Sequence, residues 1–458
     1  MTHIRTITRI AAVLLLTALI AIPTFAARGK ADFSRLVTLG DSFGVGVSNV
    51  GANITHQRFS WPAVLARQVG LNTDCATDGP RCFEQAYISE PGILPELQLV
   101  SLSPLTIQLK PGLGAPLNSG LQRPYNNLSI DGAEIADALQ VDGDGNEQFS
   151  APIVLRGLGS MTDQALRLNP TFIAMWIGGD DAFNGVQGGK PALMTSVADF
   201  TRDYNAVLDK LVKGAPDAGF VVGNLPTDIR GIPFVSVIPS VLIDPGTGKP
   251  VRDPSGNFIP LIADLGGGNF GQLPPGSLVL LTSLQLIQSG FGIPAALKPL
   301  LPPLPNIGKP LPDEAVLTPT EIAAINQRLV DYNSAINAAA SSRDIPVVDI
   351  KAFLNQVKAG VHAGPFNLNI GYVTGGVVSL DGYHLTDVGY ALFANEYIKT
   401  INSAYGTRIP LAGLWQFLQN NDPSAQASSE LPIFDEAAAK ALNMLTPPAP
   451  RRRLKPSH

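Results

Sequence analysis

Cysteine, histidine and charge are all scarce in this chain. Two cysteines among 458 residues cannot build a thiolate cage for zinc, and neither sulfur has partner ligands close by in sequence. Charged residues make up 15% of the chain and the net charge is −5, so the basic stripe that nucleic-acid binding demands is missing. A second long apolar run is missing as well: beyond the first 26 residues no segment has the length and apolarity to cross a bilayer. What remains is 45% hydrophobic, enough for a sizeable core in one large domain or two modest ones.

The one long apolar run is N-terminal. "MTHIRTITRIAAVLLLTALIAIPTFA" has Arg5 and Arg9 before an apolar stretch from Ile10, then Pro23 and the small residues Thr24 and Ala26. This is the pattern of an export signal cut after Ala26, which predicts a secreted or periplasmic protein; an uncleaved N-terminal anchor is the alternative. Loss of the two arginines takes the net charge to −7. In an oxidising compartment Cys75 and Cys82, on either side of an Asp-Gly-Pro turn, are expected to form a local disulfide. The basic C-terminal "RRRLKPS" reads as a solvated tail, with attraction to a charged surface as the alternative.

Between these ends, short apolar runs alternate with helical patterns. "RLVTLGD" (35–41), "TFIAMWIGG" (171–179), "GFVVGNLP" (219–226) and "IPVVDI" (345–350) read as buried strands of a mostly parallel sheet. Val197, Phe200, Tyr204, Val207, Leu208 and Leu211 share one helical face. Thr318, Pro319 and Glu321 make a capping box for a second helix, whose buried stripe is expected at Ile322, Ile325, Leu329, Val330 and Ile336. The alternation predicts an α/β class fold, a three-layer α/β/α sandwich with ligands at the carboxyl ends of the strands. The expected organisation is a leader at 1–26, one domain over 27–410 and a peripheral tail at 411–458. Pro- and Gly-rich stretches at about 75–127 and 228–312 interrupt the alternation. The second is the more apolar and reads as a lid, or as an insertion that simply packs on the core.

"VTLGDSFGVGVSN" puts Ser42 between a strand and a run of small residues. A turn serine fits that position; a nucleophile needs a base as well. Of the five histidines, His3 lies in the leader and His458 ends the chain, while His56 and His362 suit a polar loop and a turn. His384 has Asp381 three residues before it and a helical pattern after it. One short loop can therefore carry an imidazole and the carboxylate that fixes its tautomer, although a surface Asp–His pair at a helix start fits the same spacing. "DGDGNEQF" (142–149) begins like a calcium loop, but Glu147 stands where glycine is needed and Ile153 where the bidentate glutamate belongs, so an acidic turn is preferred.

These residues together carry a family resemblance. "LGDS", "NNLSIDGAEIADAL", "MWIGGDDAFNG" and "DGYHLTD" follow one another in the order of the functional blocks of the GDSL, or SGNH, esterases and lipases. "SWPAVLARQVGL" also resembles the helix after the nucleophile's loop, and the likeness runs from Arg35 to Pro410. The resemblance implies a flavodoxin-like α/β/α fold and a Ser42–His384–Asp381 triad. It further implies an oxyanion hole from Ser42, Gly132 and the position of Asp180, an ester or lipid-like small-molecule substrate, and no cofactor or metal; no protein partner is inferred from the sequence.

Two departures stand out. Leu385 replaces a frequent proline, a turn detail. Asp180 stands where the family has asparagine, and an ionised carboxylate cannot donate to an oxyanion; losing one donor costs roughly 3–4 kcal/mol of barrier. Asp180 is therefore expected to be protonated, helped by Asp181, or displaced. The sequence thus reads as an exported carboxylic ester hydrolase. The alternatives are a carbohydrate deacetylase, with Trp61 or Trp176 stacking on the sugar, or a catalytically weakened binding protein.

Overall fold

A computed structural model of the chain describes residues 27–75, 79, 81–140, 150–244, 249–418 and 431–444. The four apolar runs become β1 (Leu36–Gly40), β2 (Phe172–Trp176), β3 (Gly219–Gly223) and β4 (Val347–Val348). They form one sheet in that order, with every pairing parallel. Each residue of β1, β2 and β3 is buried, which is why these strands read as continuous rather than alternating apolar runs.

A fifth segment, 126–130, lies along the outer edge of β1. The Thr38 N–H donates to the Asn126 carbonyl (2.8 Å), while the Thr38 and Gly40 carbonyls accept from the Leu128 and Ile130 N–H groups (2.9 and 3.1 Å). Strand order across the sheet is thus second, first, third, fourth, fifth in chain sequence. The winding reverses between β1 and β2, and a crevice opens there beyond their carboxyl ends, at Gly40 and Trp176.

Seven helices matter for the site: α1 (Ser42–Val45), α2 (Trp61–Gln68), α3 (Gly179–Gln187), α4 (Val197–Gly214), α5 (Pro319–Ser341), α6 (Ile350–Ala359) and α7 (Asp387–Tyr405). Helix α4 packs on α5, where Phe200 stacks on Tyr332 with ring centroids 4.0 Å apart. On the other side α2 packs on α7, which also touches β3 and β4. The expected capping box forms: the Thr318 N–H donates to Glu321 Oε2 (2.8 Å) and the Glu321 N–H to Thr318 Oγ1 (3.4 Å). One residue of the α5 stripe was misassigned. Val330 is exposed, because one step past Leu329 turns it about 100° off the face; Tyr332 holds that place between Leu329 and Ile336.

The interrupting stretches are built from short elements. In the first, residues 97–102 and 105–109 form an antiparallel hairpin, and Cys75 and Cys82 are disulfide-bonded with their Cα atoms 6.0 Å apart. The tail is less peripheral than its composition suggests. Ile433–Phe434 adds a parallel strand to the hairpin's edge, and the following helix, Glu436–Asn443, capped by Asp435, buries Ala438, Ala441 and Leu442. The export signal, the acidic turn at 142–149 and the basic C-terminus lie outside the described residues. Among the described residues no helix is long and apolar enough to cross a membrane.

Candidate active site

The switch point brings the ends of the chain's functional motifs together. Strand β1 stops at Gly40, and Asp41 turns the chain into α1 by accepting the Phe43 N–H at its side chain (3.1 Å). Ser42 is therefore the first residue of a helix at the mouth of the crevice. From the other direction, the loop before α7 folds back on itself: the Ser379 N–H donates to the His384 carbonyl and the Gly382 N–H to the Ser379 carbonyl, both at 2.9 Å. Gly382 sits at φ +76°, and a Cβ there would lie 2.8 Å from the Phe234 nitrogen, so this turn requires glycine. Thr386 then caps α7.

Although 342 residues apart, His384 and Ser42 meet: His384 Nε2 lies 2.9 Å from Ser42 Oγ. On the other side of the ring, Nδ1 lies 2.9 Å from Asp381 Oδ2. All three are buried. Asp381 also accepts from the Tyr383 and His384 N–H groups (2.9 and 2.8 Å). Burial alone would raise its carboxyl, but the His384 ring and these N–H donors prevail and hold it down at about 2. A carboxylate fixed at Nδ1 leaves Nε2 to accept the serine proton.

Two residues of this arrangement escaped the sequence reading. The Asn49 N–H donates to Ser379 Oγ (3.0 Å), its side-chain oxygen accepts the Leu380 N–H (2.9 Å), and the Val50 N–H donates to Asp381 Oδ2 (2.7 Å). To do so the pair adopts φ +54° and +74°. Asparagine tolerates that region, whereas a β-branched valine there is a true outlier. Nothing local in "GVGVSNVGAN" marks Val50, since its partner lies 331 positions away.

His56 is a third residue whose role was underread. Rather than a polar loop side chain, it is a nearly buried ring bracketed by two carboxylates, Nδ1 to Asp387 (2.7 Å) and Nε2 to Glu96 (2.9 Å). Glu96 also pairs with Lys110. A neutral imidazole can donate from only one nitrogen, so acceptors on both call for the cation. Burial opposes the charge, yet the two carboxylates push His56 up to about 10.

Gly132 follows Asp131, whose N–H donates to Ser150 Oγ (3.0 Å) while its carboxylate accepts the Ser150 N–H (2.9 Å). This fixes the turn in which Gly132 takes φ +69°. Asp180, in the first turn of α3, is buried. Burial first, then the charges of Asp41, Glu134, Asp131 and Asp137, push it well above the usual carboxylate range. Burial likewise lifts Asp41 to about 8, against the pull of the Phe43 N–H. Asp181 rises for the same reason, although the Ile135 N–H donates to it (2.7 Å).

An apolar cavity of ≈ 110 Å³ borders this cluster, and Phe43, Gly179, Tyr383 and Leu385 are among its walls. The tryptophans do not offer a sugar platform. Trp61 is fully buried and stacks on Tyr397 of α7, ring centroids 4.5 Å apart, because α2 and α7 clasp it between them. Trp176 is buried as well and closes one side of the cavity.

The profile of the GDSL-like lipase/acylhydrolase family matches residues 36–397. Among solved structures, an extracellular lipase from Streptomyces rimosus is 14% identical, with 81% of this chain and 98% of that one covered and a TM-score of 0.32. A phospholipase A1 from Streptomyces albidoflavus is 14% identical, with 82% and 100% covered and a TM-score of 0.31. A family 3 carbohydrate esterase from Clostridium thermocellum is 11% identical, with 81% and 96% covered and a TM-score of 0.32. A comparison with curated proteins finds no match.

Proposed function

Since the chain belongs to the GDSL-like lipase/acylhydrolase family, we propose that it cleaves carboxylic esters through an acyl-enzyme on Ser42, with His384 as base and Asp381 as its anchor. The observation that carries this reading is the unbroken relay of two 2.9 Å contacts from Ser42 through His384 to Asp381.

Ser42 Oγ attacks the ester carbonyl carbon as its proton passes to His384 Nε2. Asp381 stabilises the imidazolium formed. The tetrahedral intermediate collapses by breaking the bond to the alcohol oxygen, which takes the proton from His384 and leaves. Water then attacks the acyl carbon, again giving its proton to His384. That proton returns to Ser42 as the acid departs. The Ser42 and Gly132 N–H groups, with a neutral Asp180, serve as the oxyanion donors.

The leader at 1–26 and the Cys75–Cys82 disulfide support export to an oxidising compartment. The test is hydrolysis of p-nitrophenyl butyrate by the mature protein beside Ser42→Ala, with fluorophosphonate labelling of both. Turnover and labelling lost together in the variant support the triad. A wild-type protein that is neither labelled nor active leaves the weakened binding protein as the better reading.

A further inference from the structure

We infer that a second cavity, where the 97–109 hairpin, residues 231–243 and the 370–374 loop meet, binds an uncharged, hydroxyl-bearing amphiphile, and that its occupancy is relayed to Asp381 through Tyr372. The relay rests on the hydrolase reading above; the binding does not.

Three observations carry the site. The first is space. The cavity measures ≈ 450 Å³, within the range of about 300–1,000 Å³ usual for small-molecule sites, whereas the cavity beside Phe43 measures ≈ 110 Å³. Pro233 and Ile370 are walls of both, so the two are neighbours.

The second is chemistry. Leu102, Leu105, Ile243 and Leu431 supply hydrocarbon, Ser236 and Thr374 supply hydroxyls, and among the described residues no charged side chain lines the space. A phosphate, carboxylate or ammonium group would lose hydration there and gain no counter-charge. Ser236 Oγ already donates to the Ile232 carbonyl (3.0 Å), which leaves its lone pairs to accept. The group that fits is one that brings its own O–H.

The third is strain. Val373 lines the cavity at φ +64°, a true outlier for a β-branched residue. Its loop enforces that conformation: the Asn369 N–H donates to the Gly375 carbonyl (2.7 Å) and the Gly375 N–H to the Gly371 carbonyl (2.8 Å). Backbone strain held in this way gathers at ligand clamps and active sites.

Tyr372 is both wall and link. Its Oη donates to the carbonyl of Leu380 (2.5 Å), the residue before Asp381. A ligand packed on Tyr372 steadies the ring that holds Leu380, and with it the register of the Asp381 carboxylate against His384.

The experiment uses octyl glucoside below its micellar concentration, with octyl sulfate as the same chain on an anionic head. Calorimetry on the mature Ser42→Ala protein reads binding without turnover. Octyl glucoside should bind at one site, about tenfold or more tighter than octyl sulfate. Ser236→Trp, at an exposed position on the rim, should weaken it by about tenfold or more by filling the space. Leu354→Trp, which fills the smaller apolar cavity instead, should leave it unchanged. In the wild-type protein, saturating octyl glucoside should raise kcat for p-nitrophenyl butyrate about fivefold; Tyr372→Phe should keep the binding and lose that rise. Absence of binding, or binding removed by Leu354→Trp and not by Ser236→Trp, overturns the site. Equal affinity for octyl sulfate overturns the uncharged ligand, and binding with kcat unmoved overturns the relay. If no ester is cleaved in a Ser42-dependent way, the hydrolase reading and the relay fall together, while calorimetry still decides the site.

Discussion

Val50 donates its backbone N–H to the same Asp381 oxygen that faces His384 Nδ1, at 2.7 Å. The carboxylate paired with His384 is thus itself oriented by a turn in the loop just after Ser42. Holding two non-glycine residues at positive φ costs of order 1–3 kcal/mol each, and such strain persists only where surrounding contacts enforce it. The contacts are those of Asn49 to Ser379 and Leu380.

Asn49→Ala removes the acceptor for the Leu380 N–H and the residue best suited to φ +54°. We expect kcat to fall about 10- to 100-fold with KM changed less than threefold, because the apolar cavity beside Phe43 is untouched while the Asp381 loop loses its register. Asn49→Asp keeps an acceptor and the tolerance for that conformation, and should recover most of the loss. If both variants lower melting temperature alone, with kcat per labelled Ser42 unaltered, the turn has only a structural role.

Asp381→Asn should lower kcat by about 10³–10⁴, since an amide favours the wrong imidazole tautomer. It should also change acid stability. The folded carboxyl lies at about 2, below the ordinary value near 3.9, so its contribution is present above pH ~4 and is lost as pH falls through about 2. That contribution is of order 2–3 kcal/mol. Unfolding of wild type and variant compared at pH 5 and pH 2 checks the sign: the gap between them must shrink in acid.

His56 has the opposite sign. Its folded pKa is raised to about 10 from about 6.5 unfolded. The stabilisation is therefore complete below pH ~6.5 and is lost as pH climbs towards 10. His56→Gln should cost about 3–5 kcal/mol at pH 6 by leaving the buried Asp387 carboxylate without its cation and Glu96 with Lys110 alone, and the difference should narrow at pH 10. Denaturant titrations at the two pH values decide it; a pH-independent difference would mean that the ring acts by packing alone.

The sheet was legible because its strands are apolar on both faces and end in Gly, Asp or Pro, a signal that needs no tertiary information. The α5 capping box was legible for a similar reason, whereas the meeting of Ser42 and His384, 342 residues apart, was expected from the order of four motifs rather than from any local pattern. What stayed hidden depends on distant partners. His56 looks like a loop residue until Glu96 and Asp387 close on it, Val50 looks unremarkable until Asp381 arrives, and the edge that 433–434 completes exists only once the 97–109 hairpin has formed. Trp61 misled for the converse reason: an aromatic near the nucleophile in sequence is drawn inward by Tyr397.

Asp180 poses the sharpest question for activity. Facing it are Asp41 after β1, Asp131, Glu134 and Asp137 from the 131–137 turn, and Tyr383 from the loop before α7; all are acidic groups. Burial and these neighbours raise its carboxyl, so the neutral form, whose O–H can donate, prevails below that raised value and is lost as pH rises through it. Ionisation would then both remove a donor, worth about 3–4 kcal/mol, and set a negative charge in the oxyanion's surroundings. The expected pH–rate profile for p-nitrophenyl butyrate therefore has an alkaline fall that Asp180→Asn shifts upward or abolishes. The same variant should gain more stability at pH 7.5 than at pH 4.5, because a raised carboxyl pKa weakens the fold once pH exceeds the unfolded value. A variant with an unaltered alkaline limb would remove Asp180 from the oxyanion hole, and a variant far more active at every pH would mean that the carboxylate is ionised and the natural enzyme held back by it.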